Sequence, residues 1–219
     1  MKGQMMKEKP ITTLFLDVGD VLLTNGFEHQ ARALAAKTFD LDLDEMNLRH
    51  ELVFSTYELG KIGMEQYLNL VVFYKKRNFT RSQFRQFIFA QSQPFPEMIE
   101  LVSKLKAKYR LKIAVVSNES REVNAFRIRK FKLERFVDFF ISSCFVHLSK
   151  PDVDIFRLAL DISQTPAKQV VYIENTPLFI EVAEDLGIQG IIHTGYDSTL
   201  AKLEAFGLIL GQGGPHELV

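Results

Sequence analysis

Five short apolar runs, each followed by polar or turn residues, are the feature that most constrains the fold of this 219-residue chain. The runs are Ile11–Leu16, Leu111–Val116, Phe139–Ile141, Gln169–Ile173 and Ile188–Ile192. Segments with helical spacing separate the later runs, such as 96–108, 154–162 and 177–186. Continuous apolar strands that alternate with helices are typical of parallel strands covered on both faces. The sequence therefore predicts an α/β fold with a doubly wound parallel sheet.

The stretch from residue 24 to residue 93 interrupts this alternation. It has no convincing strand run, but it has four segments with helical periodicity. These segments are Phe27–Phe39, Glu45–Tyr57, Met64–Tyr74 and Arg81–Gln91. We therefore predict a helical cap domain over residues 24–93, inserted into a core domain made of residues 11–23 and 94–210. The Gly-rich end, residues 211–219, is typical of a flexible tail.

Charge and cysteine content exclude several classes of protein. Lys and Arg number 27, and so do Asp and Glu, so the net charge is zero and a nucleic-acid partner is not expected. We interpret the basic stretch 127–132 as the polar face of an amphipathic helix. Cys144 is the single cysteine, which excludes an intrachain disulfide. No apolar run approaches the roughly 20 residues that span a membrane, so we expect a cytoplasmic protein with no membrane partner.

Polar side chains follow the first four predicted strands. They are Asp17 after the first, Ser117 and Asn118 after the second, Lys150 beyond the third, and Glu174 and Asn175 after the fourth. Ligands of open α/β sheets bind at the carboxyl ends of the strands, so we expect these groups to converge. A carboxylate, a hydroxyl, an ammonium group and a second carboxylate suit phosphoryl transfer.

These positions carry four ordered segments: Phe-Leu-Asp-Val-Gly-Asp-Val-Leu at 15–22, Val-Val-Ser-Asn at 115–118, Lys-Pro-Asp at 150–152, and Val-Tyr-Ile-Glu-Asn at 171–175. In this order they resemble the four motifs of the haloacid dehalogenase-like superfamily. The resemblance covers nearly the whole chain, and it implies a Rossmannoid core with a helical cap over the site.

The resemblance also implies roles for individual residues. Asp17 would be the nucleophile that forms an aspartyl intermediate, Ser117 and Asn118 would bind the phosphoryl group, and Lys150 would neutralise its charge. The implied cofactor is Mg²⁺, and its implied ligands are Asp17, the backbone carbonyl of Gly19, Glu174 and Asn175.

Two positions depart from the usual pattern of the superfamily. Typical phosphatases there have a second Asp two residues after the nucleophile, which serves as general acid and then as general base. This chain has Gly19 instead, as do some glucose-1-phosphatase-like members. Such a group contributes roughly 10²–10⁴-fold to the rate. Asp20 is adjacent, but a shift of one residue redirects the side chain, so we do not expect it to substitute. Asn175 keeps an oxygen ligand and loses a charge, which predicts weaker metal binding.

The leading hypothesis is a Mg²⁺-dependent phosphatase that acts on a small phosphorylated metabolite through an aspartyl-phosphate at Asp17. A second hypothesis is a catalytically weakened phosphate-binding or regulatory protein that uses the same pocket. A 2-haloacid dehalogenase ranks third, because the aromatic residue usual in that branch is replaced by Gly19. We expect His147 to be structural or exposed. The sequence gives no indication of the substrate's identity or of the oligomeric state.

Overall fold

The computed structural model of this protein describes residues 10–210, and the predicted tail, residues 211–219, lies outside them. Five parallel strands form one sheet in the order β3-β2-β1-β4-β5. The strands are β1 (Thr13–Leu16), β2 (Lys112–Ser117), β3 (Phe139–Ser142), β4 (Val170–Glu174) and β5 (Gln189–Ile192). The predicted doubly wound parallel sheet is confirmed, and the first strand lies at its centre.

The central strand shows why both faces of this sheet are covered. All four residues of β1 are buried. Leu14 and Leu16 pack into one hydrophobic cluster, and Phe15 between them packs into the cluster on the opposite face, as successive side chains of a strand must. Each face of the sheet is covered by helices that close these clusters.

Ten α-helices accompany the sheet in the described part of the chain. They are α1 (His29–Phe39), α2 (Leu43–Glu58), α3 (Met64–Val71), α4 (Arg81–Ala90), α5 (Pro96–Tyr109), α6 (Arg121–Lys130), α7 (Ser143–Val146), α8 (Val153–Ser163), α9 (Pro177–Glu184) and α10 (Tyr196–Ala205). Single 3₁₀ turns occur at Leu133–Arg135 and Ala167–Gln169. None of the helices within residues 10–210 combines the length and apolar character needed to cross a bilayer.

The four helices α1–α4 follow β1 directly, and we call them the helical insertion. They have a hydrophobic cluster of their own, in which Phe84 is fully buried among Phe27, Phe39, Phe73 and other aromatic rings. The two chain segments that lead into and out of the insertion pair with each other, since Thr24 N donates to Gln93 O over 2.8 Å. The assignment of residues 24–93 as a separate domain stays a prediction.

The prediction that Arg127 lies on a solvent-facing helix surface is wrong. Its side chain is only 3% exposed and forms a buried ion pair with Glu119. It also donates to Ser92 Oγ over 3.0 Å and to Thr24 O over 2.9 Å. A charged side chain can be buried when every donor has a partner, and here the partners come from both segments that connect the insertion to the core.

Candidate active site

Three buried groups converge on the ammonium group of Lys150. Its Nζ lies 2.7 Å from Asp17 Oδ1, 2.5 Å from Glu174 Oε2 and 3.0 Å from the hydroxyl of Tyr172. The Tyr172 hydroxyl in turn donates to Glu174 Oε2 over 2.5 Å. We call Asp17, Ser117, Lys150, Tyr172 and Glu174 the catalytic floor, and each of these residues is buried.

The sheet register places the two carboxylates of the catalytic floor side by side. Leu16 of β1 pairs with Ile173 of β4, so Asp17 and Glu174 come next on neighbouring parallel strands. The backbone amide of Asp17 donates to Ile173 O over 3.0 Å and extends this pairing beyond the strand. Tyr172 and Glu174 are two residues apart in β4 and therefore point to the same face. Strand pairing alone thus brings three of the five groups together.

The side chain of Asn118 fixes the position of Lys150. Its Nδ2 donates to Lys150 O over 3.0 Å, and its Oδ1 accepts from Lys150 N over 2.8 Å. The amide therefore joins the end of β2 to the loop that carries the lysine. Both ends of the Asn118 amide are used in this way, and its predicted direct contact with phosphate stays a prediction.

Electrostatics in the catalytic floor keep the lysine charged. Burial acts to lower the pKa of Lys150, but the adjacent Asp17 and Glu174 carboxylates outweigh it and raise the pKa above its ordinary value. Burial raises the pKa of Asp17, while the Lys150 charge and a hydrogen bond with Ser117 act to lower it. Burial also raises the pKa of Tyr172, so this phenol remains a donor. The ammonium group is therefore the fixed positive charge between two carboxyl groups.

The predicted metal ligands offer oxygen atoms of the kind that usually hold Mg²⁺ in proteins. Within residues 10–210 no group of three or more His, Cys, Asp or Glu side chains is arranged to hold a metal. Mg²⁺, however, is commonly held by one or two carboxylates together with waters and substrate phosphate. Asp17, the Gly19 carbonyl and Asn175 offer such oxygens, and Asn175 lies 3.5 Å from the Asp20 carboxylate through its Nδ2. Glu174 is more engaged, because its Oε1 also accepts from Thr176 N over 2.9 Å.

The space beside Gly19 is filled by Asn25. An ideal Cβ on residue 19 would lie 2.2 Å from Asn25 Oδ1, which no real pair of atoms tolerates. Asn25 is held there by Asp20, whose Oδ1 and Oδ2 accept from its backbone N over 3.1 Å and from its Nδ2 over 2.5 Å. An amide therefore occupies the place that a side chain at position 19 would enter, and Asp20 is engaged in holding it.

A cavity of about 420 Å³ opens above the catalytic floor. All the predicted site residues line it except Ser117, which is buried at the end of β2. Its opposite side is formed by a set of residues that we call the insertion wall: Arg32, His50, Phe54, Tyr57, Glu58 and Tyr67. The cavity therefore lies between the core sheet and the helical insertion, with polar groups on both sides.

His50 and Glu58 differ in how they are held in the insertion wall. The ring nitrogens of His50 lie 2.7 Å from the Tyr67 hydroxyl and 3.2 Å from Arg32 Nη1, and burial followed by the Arg32 charge lowers its pKa to about 4. Burial raises the pKa of Glu58 to about 7, and the charges of Glu119 and Asp17 add to this effect while the Lys150 charge acts against it. Near neutral pH, His50 is therefore uncharged, and the Glu58 carboxyl group keeps its proton to a higher pH than an ordinary glutamate.

Sequence reasoning missed several of these groups. Tyr172 had a readable signal, because it precedes Glu174 by two residues and must share its face of β4. Asn25 and Glu58 had none, since Asn25 is held by a loop contact with Asp20 that no periodicity marks, and Glu58 by contacts between the insertion and the core. His147, for which we expected a structural or exposed place, bonds through Nδ1 to Leu59 O over 2.7 Å, which joins the core to the insertion.

Comparison with known proteins connects this geometry to a family. The sequence profile described as haloacid dehalogenase-like hydrolase matches residues 34–192. The chain is 29% identical over 113 residues to the phosphorylated carbohydrates phosphatase of Thermotoga maritima, covering 50% of this chain and 51% of that protein. It is 34% identical over 67 residues to the bifunctional epoxide hydrolase 2 of Sus scrofa, covering 31% of this chain and 12% of that protein. The chain thus spans about half or less of these relatives.

Solved structures show the same architecture. A HAD family enzyme of Bacteroides thetaiotaomicron superposes with a TM-score of 0.75 at 20% identity, covering 86% of this chain and 97% of that one. The same enzyme in complex with magnesium and inorganic phosphate superposes with a TM-score of 0.73 at 20% identity, covering 85% and 96%. At this level of identity the likeness concerns the fold.

Proposed function

This chain belongs to the haloacid dehalogenase-like hydrolase family, and we propose that within it the chain is a Mg²⁺-dependent phosphatase of small phosphorylated metabolites. The observation that carries the proposal is the Lys150 ammonium group, which lies between Asp17 and Glu174 at the base of the cavity. Of the two carboxylates, Asp17 has its second oxygen, Oδ2, beside Gly19. A buried carboxylate held by a fixed positive charge is suited to attack phosphorus at that oxygen.

The proposed reaction proceeds in two displacements. A carboxylate oxygen of Asp17 attacks phosphorus and displaces the alcohol, and water then hydrolyses the aspartyl-phosphate. Lys150 compensates the negative charge of the phosphoryl oxygens, whereas the contact of Ser117 with phosphate stays a prediction, since Ser117 is buried and does not line the cavity. Asp17, the Gly19 carbonyl, Glu174 and Asn175 would hold Mg²⁺. When bound, this ion neutralises phosphate charge and orients the phosphoryl group for in-line attack.

The dimensions of the cavity and the named relatives support a small substrate. A volume of about 420 Å³ suits a metabolite. A relative that matches half of this chain is a phosphatase of phosphorylated carbohydrates, and a structural neighbour has been solved with magnesium and inorganic phosphate. The insertion wall offers Arg32, Tyr57 and Glu58 to the part of a substrate beyond its phosphate.

A second candidate function is favoured by two specific observations. Asn25 fills the space beside Gly19, and Asn175 replaces a carboxylate, so the usual proton-transfer group and one metal charge are both absent from their places. A catalytically weakened phosphate-binding or regulatory protein would retain the catalytic floor and lack turnover. A 2-haloacid dehalogenase is the weaker alternative, because position 19 carries no aromatic side chain.

The experiment is a panel of small phosphomonoesters assayed with Mg²⁺ and with a chelator, comparing the wild-type protein with Asp17→Asn. We expect Mg²⁺-dependent release of phosphate that falls by at least about 10³-fold in the variant, since the nucleophile is lost. Asp161→Asn, an exposed change on α8, is the matched control and should retain full activity. Turnover that survives Asp17→Asn contradicts the proposal. Phosphate binding with no turnover in the wild-type protein favours the second candidate.

A further inference from the structure

The proposed reaction needs a proton donor that the catalytic floor does not supply. An alcohol leaves phosphorus readily only if its oxygen is protonated as the bond breaks, and the attacking water must later lose a proton. Gly19 has no side chain for either task, and the adjacent space is filled by the amide of Asn25, which is not an acid in water. The proton must therefore come from another group at the cavity.

Most carboxyl groups that line the cavity already form hydrogen bonds or ion pairs, or have another role. Glu174 is bonded to Lys150, Tyr172 and Thr176, and Glu119 is paired with Arg127. Asp17 is the proposed nucleophile, and Glu28 is exposed. Within residues 10–210, the Glu58 carboxylate has neither a hydrogen-bonding partner nor a salt bridge, although Glu58 is partly buried and lines the cavity. Glu58 is therefore the carboxyl group that remains available.

The structure fixes the segment that carries Glu58 against the core. Glu58 is the last residue of α2, and its carbonyl accepts from Ser143 Oγ over 2.8 Å. The next carbonyl, of Leu59, is bonded to His147 Nδ1. Gly60 follows with a φ of 66°, and an ideal Cβ there would lie 2.3 Å from Cys144 O, so only glycine allows this approach. Glu58 and Leu59 are thus bonded to Ser143 of α7 and to His147 after it, and Gly60 packs closely against Cys144.

We propose that Glu58 is the general acid and general base of the reaction, replacing the group that Gly19 lacks. This inference rests on the proposed phosphatase function. As Asp17 Oδ forms its bond to phosphorus, the bond from phosphorus to the alcohol oxygen breaks, and Glu58 transfers its proton to that oxygen. Water then attacks the aspartyl-phosphate and gives a proton to the Glu58 carboxylate. Inorganic phosphate leaves, and both carboxyl groups return to their starting states.

The charges around Glu58 suit it to exchange a proton near neutral pH. Burial raises its pKa to about 7, and Glu119 and Asp17 act in the same direction while Lys150 opposes them. His147, which follows α7, and Arg121, which donates to Cys144 O over 2.6 Å, also lie at this junction, as do the Cys144 thiol and the Glu122 carboxylate, which accepts from Met64 N. A general acid works best when its pKa is close to the working pH.

The test compares Glu58→Gln with the wild-type protein on two kinds of substrate, both with Mg²⁺. Glu51→Gln, an exposed change on the same helix, is the matched control. With alkyl phosphates, whose leaving groups need protonation, we expect Glu58→Gln to lower kcat/KM by about 10²-fold or more. With 4-nitrophenyl phosphate the leaving group departs unassisted. There we expect a rapid burst of about one nitrophenol per enzyme molecule, followed by slow turnover as the aspartyl-phosphate waits for its base.

The pH profile supplies a readout that a structural role of Glu58 would not change. For the wild-type protein, kcat/KM with an alkyl phosphate should fall as pH rises through about 7, because the acid form is required. This descending limb should be absent in Glu58→Gln, while any limb due to substrate ionisation stays in both. Equal activity of Glu58→Gln and the wild-type protein on alkyl phosphates, or an unchanged limb, overturns the inference alone. Absence of Asp17-dependent turnover in the wild-type protein overturns the proposed function itself.

Discussion

The two sides of the cavity differ in how their carboxyl groups are held and in whether these groups have a counter-charge. In the catalytic floor, both carboxyl groups share the Lys150 ammonium group, and strand pairing sets their spacing. In the insertion wall, Glu58 is partly buried with no such counter-charge, and its position depends on contacts between α2 and α7. In the catalytic floor, pairing with two carboxyl groups favours a fixed charge on Lys150. In the insertion wall, the absence of a partner favours a Glu58 carboxyl group that exchanges its proton. Fixed electrostatics and proton transfer are therefore assigned to different parts of the chain.

Among the variants that compare the two sides of the cavity, the largest effect is expected from Lys150→Met, which removes the positive charge of the catalytic floor. Two buried carboxyl groups would then lack their counter-charge, so the free energy of unfolding should fall by about 3–5 kcal/mol. Activity on any phosphomonoester should fall by about 10²-fold or more. Urea denaturation with a chelator present measures the stability without interference from metal.

Lys104→Met is the matched control for this prediction. It removes an exposed lysine that lies 2.6 Å from Glu100 one helical turn away, and solvent screens such a pair, so we expect little change. If the two variants lose equal stability, the buried lysine does not hold the floor together as described.

An effect of intermediate size is expected on activity when the proton donor is moved from Glu58 in the insertion wall to position 19 beside the catalytic floor. In the Glu58→Gln background, adding Gly19→Asp together with Asn25→Ala should place a carboxyl group beside Asp17 without the collision at Asn25. We expect activity on alkyl phosphates to recover by about 10-fold or more, since a general acid is restored. Steady-state kinetics on one alkyl phosphate measures it.

Two further variants separate this recovery from indirect effects. Asn25→Ala in the Glu58→Gln background should restore nothing, because it adds no acid. Gly19→Asp with Asn25 retained should restore less than the pair, since the new side chain must displace an amide bonded to Asp20. If the variant that carries both Gly19→Asp and Asn25→Ala folds and binds phosphate but recovers no activity, the result contradicts the assignment of fixed charge to the catalytic floor and of proton transfer to the insertion wall.

The smallest expected effect is on the free energy of unfolding, and its pH dependence reports the ionisation of Glu58 in the absence of substrate. The folded-state pKa of about 7 lies above the ordinary value of 4.5, so the folded protein binds the extra proton between these values. The stability due to this proton is present below the ordinary pKa and is lost as pH rises through about 7. Glu58→Gln should therefore be more stable than the wild-type protein at about pH 8, by about 1–3 kcal/mol, and closer to it at about pH 5. Urea titrations at both values measure the difference, and a constant difference contradicts the assigned pKa.

The sequence predicted the sheet and most of the floor for the same physical reason. Apolar runs mark buried parallel strands, and whatever follows them must lie at one edge of the sheet, so Asp17, Ser117, Lys150 and Glu174 could be placed before the structure was known. Even Tyr172 follows from the alternation of β4. The alternation of side chains is local to one strand, and the alignment of the strand ends repeats from strand to strand across the sheet.

The insertion wall and the contacts that join the insertion to the core could not be predicted in this way. Glu58 is one of several glutamates on an amphipathic helix, and its place depends on Ser143, 85 residues further along the chain. Arg127 was misread because a basic stretch usually faces solvent, whereas here Glu119, Ser92 and Thr24 together satisfy its guanidinium group. Such contacts join residues that no periodicity connects.

The proposed reaction depends above all on Asp17 carrying the phosphoryl group during turnover. The most direct measurement is an acid quench of Glu58→Gln during turnover of 4-nitrophenyl phosphate with Mg²⁺, followed by peptide mass spectrometry. We expect one phosphoryl group on the peptide that contains Asp17, in higher yield than in the wild-type protein and absent from Asp17→Asn. A phosphoryl group on another residue, or turnover with no phosphorylated peptide in either protein, contradicts it.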